Sequence, residues 1–480
     1  MSEELLCHEC VGDSFLKAKI KKGSKNRGCS FCHRRTKSLP LEEVAEKVNA
    51  TFSQLFIPGG MEPSISESDS WEWEQIGETD AEIFERIMGV DYEVAEKVSN
   101  ILGEKHNFVA LKEGETALYG GDTLYELAPI RPYDTTSLWK SFCENIKHQS
   151  RYFDPSSKEI LDYIFNGIIE HQRYFSKKVI LDITPVSNNR FIYRARKALK
   201  SSERIKICKN PEVELGPPPP NIVIAGRMNP SGIPVFYGAY DERTCVSEIR
   251  LPVGGMAVIG KFEVIKPIKV LDLTAFEEYP KVEYFDPDFE YIMAQWEFAH
   301  ILHKEISKPI LPGDEVLDYL PTQLIAEYLS NQFNPKLDGI IYYSPQNLNN
   351  EEEAPKNIVL FRHSAVVKKS DIAKSEKASE DHFFSEHFTE HDYQIFKEPQ
   401  GGQGLNRVDD EFWSSDPYTD VYGMEWVDLY PQMENLPYLR LVEDSLRIYK
   451  VSSIVYKTKS LDVAPILELD QKPKGEDLDY

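Results

Sequence analysis

The sequence predicts a multidomain α+β protein in three parts: a small cysteine-stapled ribbon, an all-α bundle and a mixed α/β domain. Three observations carry this. Four of the seven cysteines fall within residues 1–38. From about 41 to 178, apolar residues recur at spacings of three and four. From 179 the pattern becomes short β-branched and aromatic runs bounded by Pro, Gly and Asn. A chain of 480 residues is too long for one ordinary core, and with 41% hydrophobic residues most of it can fold.

In the first part, Cys7-His8-Glu9-Cys10 and Cys29-Ser30-Phe31-Cys32 form two CxxC knuckles separated by eighteen residues. Each knuckle can point two thiolates at one ion. Together they complete the closed tetrahedron that zinc prefers, with no position left for water. A structural zinc on Cys7, Cys10, Cys29 and Cys32 is therefore expected. His8 and His33 read as exposed neighbours of the knuckles. Lys21, Lys22, Lys25, Arg27, Arg34 and Arg35 either offset the thiolate charge or touch phosphates.

The second part, 40–178, holds LEEVAEKVNATFSQLF, AEIFERIMGVDYEVAEKVSNIL, TSLWKSFCENI and SKEILDYIFNGIIEHQRYF, each with a helical apolar stripe. Asp80, Thr136 and Ser156 or Ser157 are the expected N-caps of three of them. In the third part, 179–368, VILDI, FIYRA, NIVIAG, PVFYGA, AVIGKFEVI, IKVLDL, DGIIYYS and NIVLFRH read as strands. Helices are expected near 288–306 and 321–333, and GPPPP at 216–220 is a stiff extended connector. Residues 369–480 turn acidic. Trp413, Trp426 and SLRIYKVSSIVYKTKS give this extension some expected order.

A net charge of −24 argues against a protein that coats nucleic acid globally. No run of eighteen apolar residues occurs, and MSEELLCHEC lacks a signal peptide's apolar core. A soluble cytoplasmic protein with reduced thiols is expected.

The chemistry concentrates in GRMNPSGIPVFYGAYDERTCVSEIR, residues 226–250. Arg227 precedes the turn Asn229-Pro230-Ser231-Gly232, and its guanidinium can fork onto phosphate. Tyr237 offers a ring to stack on a base, with Gly238 and Ala239 leaving room beside the backbone. Asp241 reads as the N-cap of the helix ERTCVSEIR, in which Glu248 can face a developing sugar cation. Taken singly, Arg227 or Glu248 is also an ordinary ion-pair residue, and Tyr237 an ordinary core aromatic. Cys245 reads as a small buried thiol.

Taken in order, FIYRAR at 191–196, ELGPPPP, GRMNPSGIPVFYGA, TCVSEIR, VLDL, DGIIYYS and NIVLF resemble the RES domain, the toxin of a bacterial toxin–antitoxin class. The resemblance implies an ADP-ribosyltransferase-like fold that consumes NAD as substrate, by hydrolysis or phosphorolysis. It places Arg227, Tyr237, Glu248 and Ser344 on the family's active-site positions, with Arg194 or Arg196 as a second basic contact to NAD. By it, Arg227 grips the pyrophosphate and Tyr237 stacks on or positions the nicotinamide end. Glu248 stabilises the oxocarbenium-like state, and Ser344 hydrogen-bonds the ribose or amide. Protein-modifying relatives often carry Glu or Gln two residues before the catalytic glutamate. Val246 stands there, which favours water or phosphate as acceptor.

The order of ribbon, helices and RES domain, with RYFDPSSKEILDYIFNGI at 151–168, also resembles architectures in which a HEPN-type module precedes RES. The Arg–His pairing of HEPN ribonucleases is missing between 40 and 180, which implies a noncatalytic scaffold, dimerisation surface or neutralising module. A NAD-degrading toxin or defence effector, restrained by an antitoxin or other regulatory protein, is the leading expectation. A nucleic-acid-binding regulator with a nucleotide-sensing RES fold is the first alternative, and a protein ADP-ribosyltransferase the second. The acidic extension is expected to cover the cationic pocket around Arg227.

Overall fold

The computed structural model describes residues 3–65, 71–112, 117–128, 135–151, 154–308, 313, 315–344, 354–369, 378–382, 393–397 and 436–454. Trp413, Trp426 and most of the acidic extension lie outside the described residues. Strands Leu5–Cys7, Arg35–Pro40 and Lys25–Gly28 form an antiparallel sheet in that order. Helix α1 (Ser14–Gly23) packs on it and starts at Asp13, whose carboxylate accepts from the Leu16 amide at 2.8 Å. So small a unit cannot bury a core alone. Its Leu6, Leu16 and Ile20 belong to one apolar core that continues through Val48, Phe84 and Phe298 to Val359.

Helices α2 (Leu41–Leu55), α3 (Asp80–Met88), α4 (Tyr92–Lys112), α5 (Thr135–Glu144) and α6 (Pro155–Glu170) follow. The single helix expected over 81–102 is two, because Gly89 closes α3 in the left-handed region at φ 62°. Gly89 also lies so close to the ribbon that a Cβ there would stand 2.8 Å from the Gly12 Cα. The cap of α3 is Thr79, reciprocated by Glu82, rather than Asp80. Buried Asp80 instead accepts from Ser99 Oγ at 2.5 Å and the Gly120 amide at 3.0 Å. Asp154, not Ser156 or Ser157, caps α6, with Pro155 pre-set for the first turn. Short antiparallel pairs add to this helical part: Phe56–Pro58 with Tyr125–Leu127, and Met61–Ile65 with Trp71–Gln75.

The main sheet uses strands β1 (Ile180–Ile183), β2 (Phe191–Lys197), β3 (Phe236–Ala239), β4 (Met256–Val264), β5 (Ile268–Asp272), β6 (Gly339–Tyr343) and β7 (Lys356–Leu360). Two further strands, β8 (Leu439–Leu441) and β9 (Arg447–Lys450), come from the C-terminal part. The order is β8-β4-β2-β3-β7-β6-β5-β1, with β9 also on β4. Only β5 and β6 run parallel; the other pairs are antiparallel. This is a large mixed sheet in a mixed α/β protein.

One expected strand is missing. NIVIAG forms a 3-10 turn at Pro220–Ile222 and then irregular chain, with Ile222 and Ile224 exposed. The Gly226 and Asn229 backbones pair with each other, so Gly226 closes a tight turn rather than joining the sheet.

Alternation along the strands divides the sheet into two faces. Tyr193, Ala195, Tyr237, Ala239, Tyr342, Asn357 and Val359 share one face. On it lie α8 (Glu242–Glu248), α9 (Phe289–Ser307) and α10 (Leu320–Asn331). Helix α9 also packs against α5 and α6, which ties the helical part to the sheet. The other face carries Ile192, Phe236, Val258, Phe262 and Ile358 and is covered partly by α7 (Ser201–Lys209). No helix among the described residues is long and apolar enough to cross a membrane.

Candidate functional site

Glu248 ends α8. The helix starts where Asp241 accepts from the Thr244 amide at 2.7 Å and from its hydroxyl at 2.5 Å. Buried Cys245 seats α8 on Ala195, Ala239 and Ile259. Burial pushes its thiol up to about 12, so it stays protonated and is no nucleophile.

From the end of α8, Glu248 Oε1 accepts from Ser344 Oγ at 2.5 Å and from Asn357 Nδ2 at 2.7 Å. Both donors are buried, Ser344 fully and Asn357 to 4% exposure. They converge because β6 and β7 are antiparallel neighbours in which Tyr343 opposes Lys356 and Tyr342 opposes Asn357. The carboxylate is thus held through one oxygen, and neither bond uses Oε2. The hydroxyl of Ser344, expected on ribose or amide, is directed at Glu248 in this structure.

The strand end that carries Ser344 is anchored from behind. His303, 2% exposed on α9, accepts the Tyr343 amide at Nε2 (3.3 Å), which puts its proton on Nδ1 facing Glu277 Oε1 at 2.7 Å. Ser307 donates to the Tyr343 carbonyl at 3.1 Å.

No local sequence pattern assigns Asn357 to the site. Its signal was a lone amide opening the buried apolar run NIVLF. Its orientation is fixed, since the flipped amide would set its oxygen against the carboxylate. Asn357 Oδ1 is then a buried acceptor with no hydrogen-bond partner among the described residues. Tyr342, its cross-strand neighbour, carries no such local signal either. Burial foremost, and then Glu248 and Tyr237, push its phenol well above the usual range.

Tyr237 shares the face of Asn357 and is clamped by the turn before it. Its hydroxyl accepts from the Met228 amide at 3.0 Å and donates to Asn229 Oδ1 at 2.9 Å. Burial raises its pKa, so the phenol stays neutral. Gly226 is required by close approach: a Cβ there would stand 2.7 Å from the Tyr237 hydroxyl. Helix α10 holds this turn, with Gln323 Nε2 donating to the carbonyls of Gly226 and Asn229 at 2.8 and 3.0 Å. Gly238 leaves no ligand space, because a Cβ there would meet Ile192 Cγ2 at 2.4 Å and the Tyr193 carbonyl at 2.9 Å.

Arg227 reaches the C-terminal end of α9, where it donates to the carbonyls of Glu305 (3.4 Å) and Lys308 and lies 5.7 Å from the centre of the Tyr319 ring. A cation there complements the helix dipole. Arg194 and Arg196 fall on the opposite face of the sheet from Tyr237 and Asn357, since Tyr193 is the residue that opposes Ala239. Arg194 sits 4.7 Å over the Phe236 ring, and burial, with Arg196 beside it, pulls its pKa down to about 9. Arg196 donates to the Gly216 carbonyl at 3.2 Å, at the head of the proline connector. The structure therefore joins Glu248 to Ser344 directly and separates both from Arg194 and Arg196.

The sulfurs of Cys7, Cys10, Cys29 and Cys32 all lie within 4.8 Å of one another, with pairs at 3.5, 3.5 and 3.8 Å. A tetrahedral zinc with ~2.3 Å bonds needs sulfur–sulfur edges of about 3.8 Å. Burial raises the Cys29 thiol, but hydrogen bonds from the backbones of Cys32, Phe31 and Cys7 and from the Cys7 side chain together bring it down to about 7. This cluster can hold a metal ion such as zinc. His8 turns its ring to the Lys37 carbonyl at 3.2 Å instead.

Residues 206–380 match the RES domain, and this part of the chain is a RES domain. Arg227, Tyr237, Glu248, Ser344 and Asn357 lie inside the match; Arg194, Arg196, the four cysteines and strands β8 and β9 lie outside it. No curated protein and no solved structure matches the chain.

Proposed function

We propose that the chain cleaves the nicotinamide–ribose bond of NAD and passes the ribosyl group to water or phosphate. The observation that carries this reading is the Glu248 carboxylate held through Oε1 by two buried donors, with Oε2 outside both bonds. In the proposed reaction the C–N bond breaks and its electron pair returns to the pyridinium nitrogen. Glu248 faces the positive charge left on the ribose. An oxygen of water or phosphate then bonds to the same carbon and loses its proton.

Ser344 and Asn357 position the carboxylate, so little reorganisation is left for the moment of reaction. Tyr237 presents its ring while its hydroxyl stays committed to the turn. Arg227 uses two of its five donors on α9 and offers the others to the pyrophosphate. Val246, partly buried against the Cys245 cluster, supplies no group to orient a protein acceptor. On this reading the sheet is an ADP-ribosyltransferase-like scaffold, the helical part a noncatalytic HEPN-like module, and the four cysteines hold one structural zinc. The protein acts in the cytoplasm as a toxin or defence effector.

Purified full chain incubated with NAD, with and without phosphate, tests this. Nicotinamide release is expected from the wild type and at least a hundredfold less from Glu248→Gln. No release by the wild type, or equal release by the variant, ends the reading. Dependence on phosphate separates phosphorolysis from hydrolysis.

A further inference from the structure

The C-terminal segment lies outside the RES match, yet it closes the RES sheet. Residues 439–441 and 447–450 run antiparallel along the outer edge of β4, opposite 264–262 and 259–256. Between them the chain bulges at 442–446, where Asp444 takes φ 55°, the Val442 amide donates to the Lys261 carbonyl at 2.8 Å and Ser445 Oγ accepts from the Lys261 amide at 3.2 Å. Gly260 makes room for this: a Cβ there would stand 2.9 Å from Leu441 and 2.7 Å from Leu215.

Alternation turns Tyr449 to the face that carries α8, because it opposes Ala257, whereas Ile448 opposes Val258 and joins the core on the other side. Tyr449 packs in the small cluster of Ala195, Ala239, Cys245 and Ile259 that seats α8, beside Val246 and Ile249. Its hydroxyl donates to Glu242 at the first residue of the helix. Helix α8 is seven residues long, too short to hold its direction unaided. Its orientation depends on the Asp241 cap, on Cys245 and on this contact.

We propose that β8–β9 is a strap that fixes the helix carrying Glu248, with Tyr449 as its positioning residue. The catalytic consequence rests on the NAD-cleavage reading; the mechanical one does not. The acidic extension is expected over Arg227, but its residues 439–441 and 447–450 lie on β4, so removing these two strands lowers activity rather than raising it.

Two readouts on the full chain test the strap: amide hydrogen exchange across 242–250, and kcat and KM for NAD. Tyr449→Ala is expected to speed exchange at the Cys245–Ile249 amides and to lower kcat about 10- to 100-fold, with KM within twofold. Tyr449→Phe keeps the ring and restores most of the rate. Unchanged exchange in Tyr449→Ala overturns the proposal, as does a loss of rate that merely follows the unfolded fraction measured by circular dichroism. Faster exchange in a protein whose wild type releases no nicotinamide supports the strap and ends the NAD reading.

Discussion

Replacing Asn357 by Leu keeps the branching and heavy-atom count of the side chain and deletes its donor. The lost bond, 2.7 Å to a carboxylate oxygen, is charge-assisted and worth roughly 1.5–3 kcal/mol. If the substrate site uses that bond to orient Glu248, the loss enters the barrier directly. At about 1.4 kcal/mol per factor of ten, kcat falls roughly 10- to 150-fold. Stability follows a different sum. Asn357 Oδ1 is buried without a partner among the described residues, and such an atom costs about 1–3 kcal/mol. Leu removes that penalty together with the bond, so the two nearly cancel. The thermal midpoint should move by no more than about 4 °C.

Nicotinamide release and thermal unfolding of the same preparation give both numbers. A kcat within twofold of wild type would refute the orienting role. So would a rate loss that tracks a fall in the midpoint beyond ten degrees or so, because the residue would then be structural. Ser344→Ala sharpens the test. Both donors act on the same oxygen, so the double variant should lose clearly less than the sum of the single ones.

Elemental analysis of the purified chain is expected to find one zinc. At free zinc a thousandfold above its dissociation constant the ion stabilises the fold by about 4 kcal/mol, so chelation should lower the thermal midpoint. That loss reaches beyond the ribbon, because Leu6, Leu16 and Ile20 share the main core. A metal-free protein with an unchanged midpoint under chelation would count against the site. His303 predicts an acid weakness: burial lowers its pKa against the pull of Glu277, with His300 and Asp272 as further neighbours. A depressed folded pKa gives stability that is full above about pH 6.5 and is lost as pH falls through the folded value. Wild type should therefore lose more midpoint than His303→Gln between pH 7.5 and pH 5, and equal losses would contradict the assignment.

Several elements were legible because one local rule decides each of them. The two knuckles follow from cysteine spacing alone. Helix α2 and helix α9 follow from their apolar stripes, and the start of α8 from Asp241. Legibility failed where contacts distant in sequence decide. AEIFERIMGVDYEVAEKVSNIL keeps one stripe across Gly89, yet the approach of Gly12 and the left-handed turn split it. NIVIAG has strand composition, but Tyr237 and α10 capture its Gly226 end in a turn. Asn357 looked like a strand's first residue until β6 and β7 set it beside Ser344. The side of the sheet on which Arg194 falls depends on the register between β2 and β3, which no local pattern reveals.

The same register explains why Glu248 depends on so much of the chain. Its carboxylate lies at the end of a short helix whose own hydrogen bonds cannot fix its direction. From one side the ends of β6 and β7 hold it through Ser344 and Asn357, and these two sit where they do because His303 and Ser307 of α9 tie down Tyr343. From the other side Tyr449 and Cys245 hold the helix itself. Helix α9 in turn packs on α5 and α6. Parts of the chain on both sides of residues 206–380 thus bear on one oxygen, which makes the geometry of that carboxylate a property of the whole fold. An isolated 206–380 fragment would lack β2, β9 and the helices behind α9, and with them three of the surfaces against which the site is set.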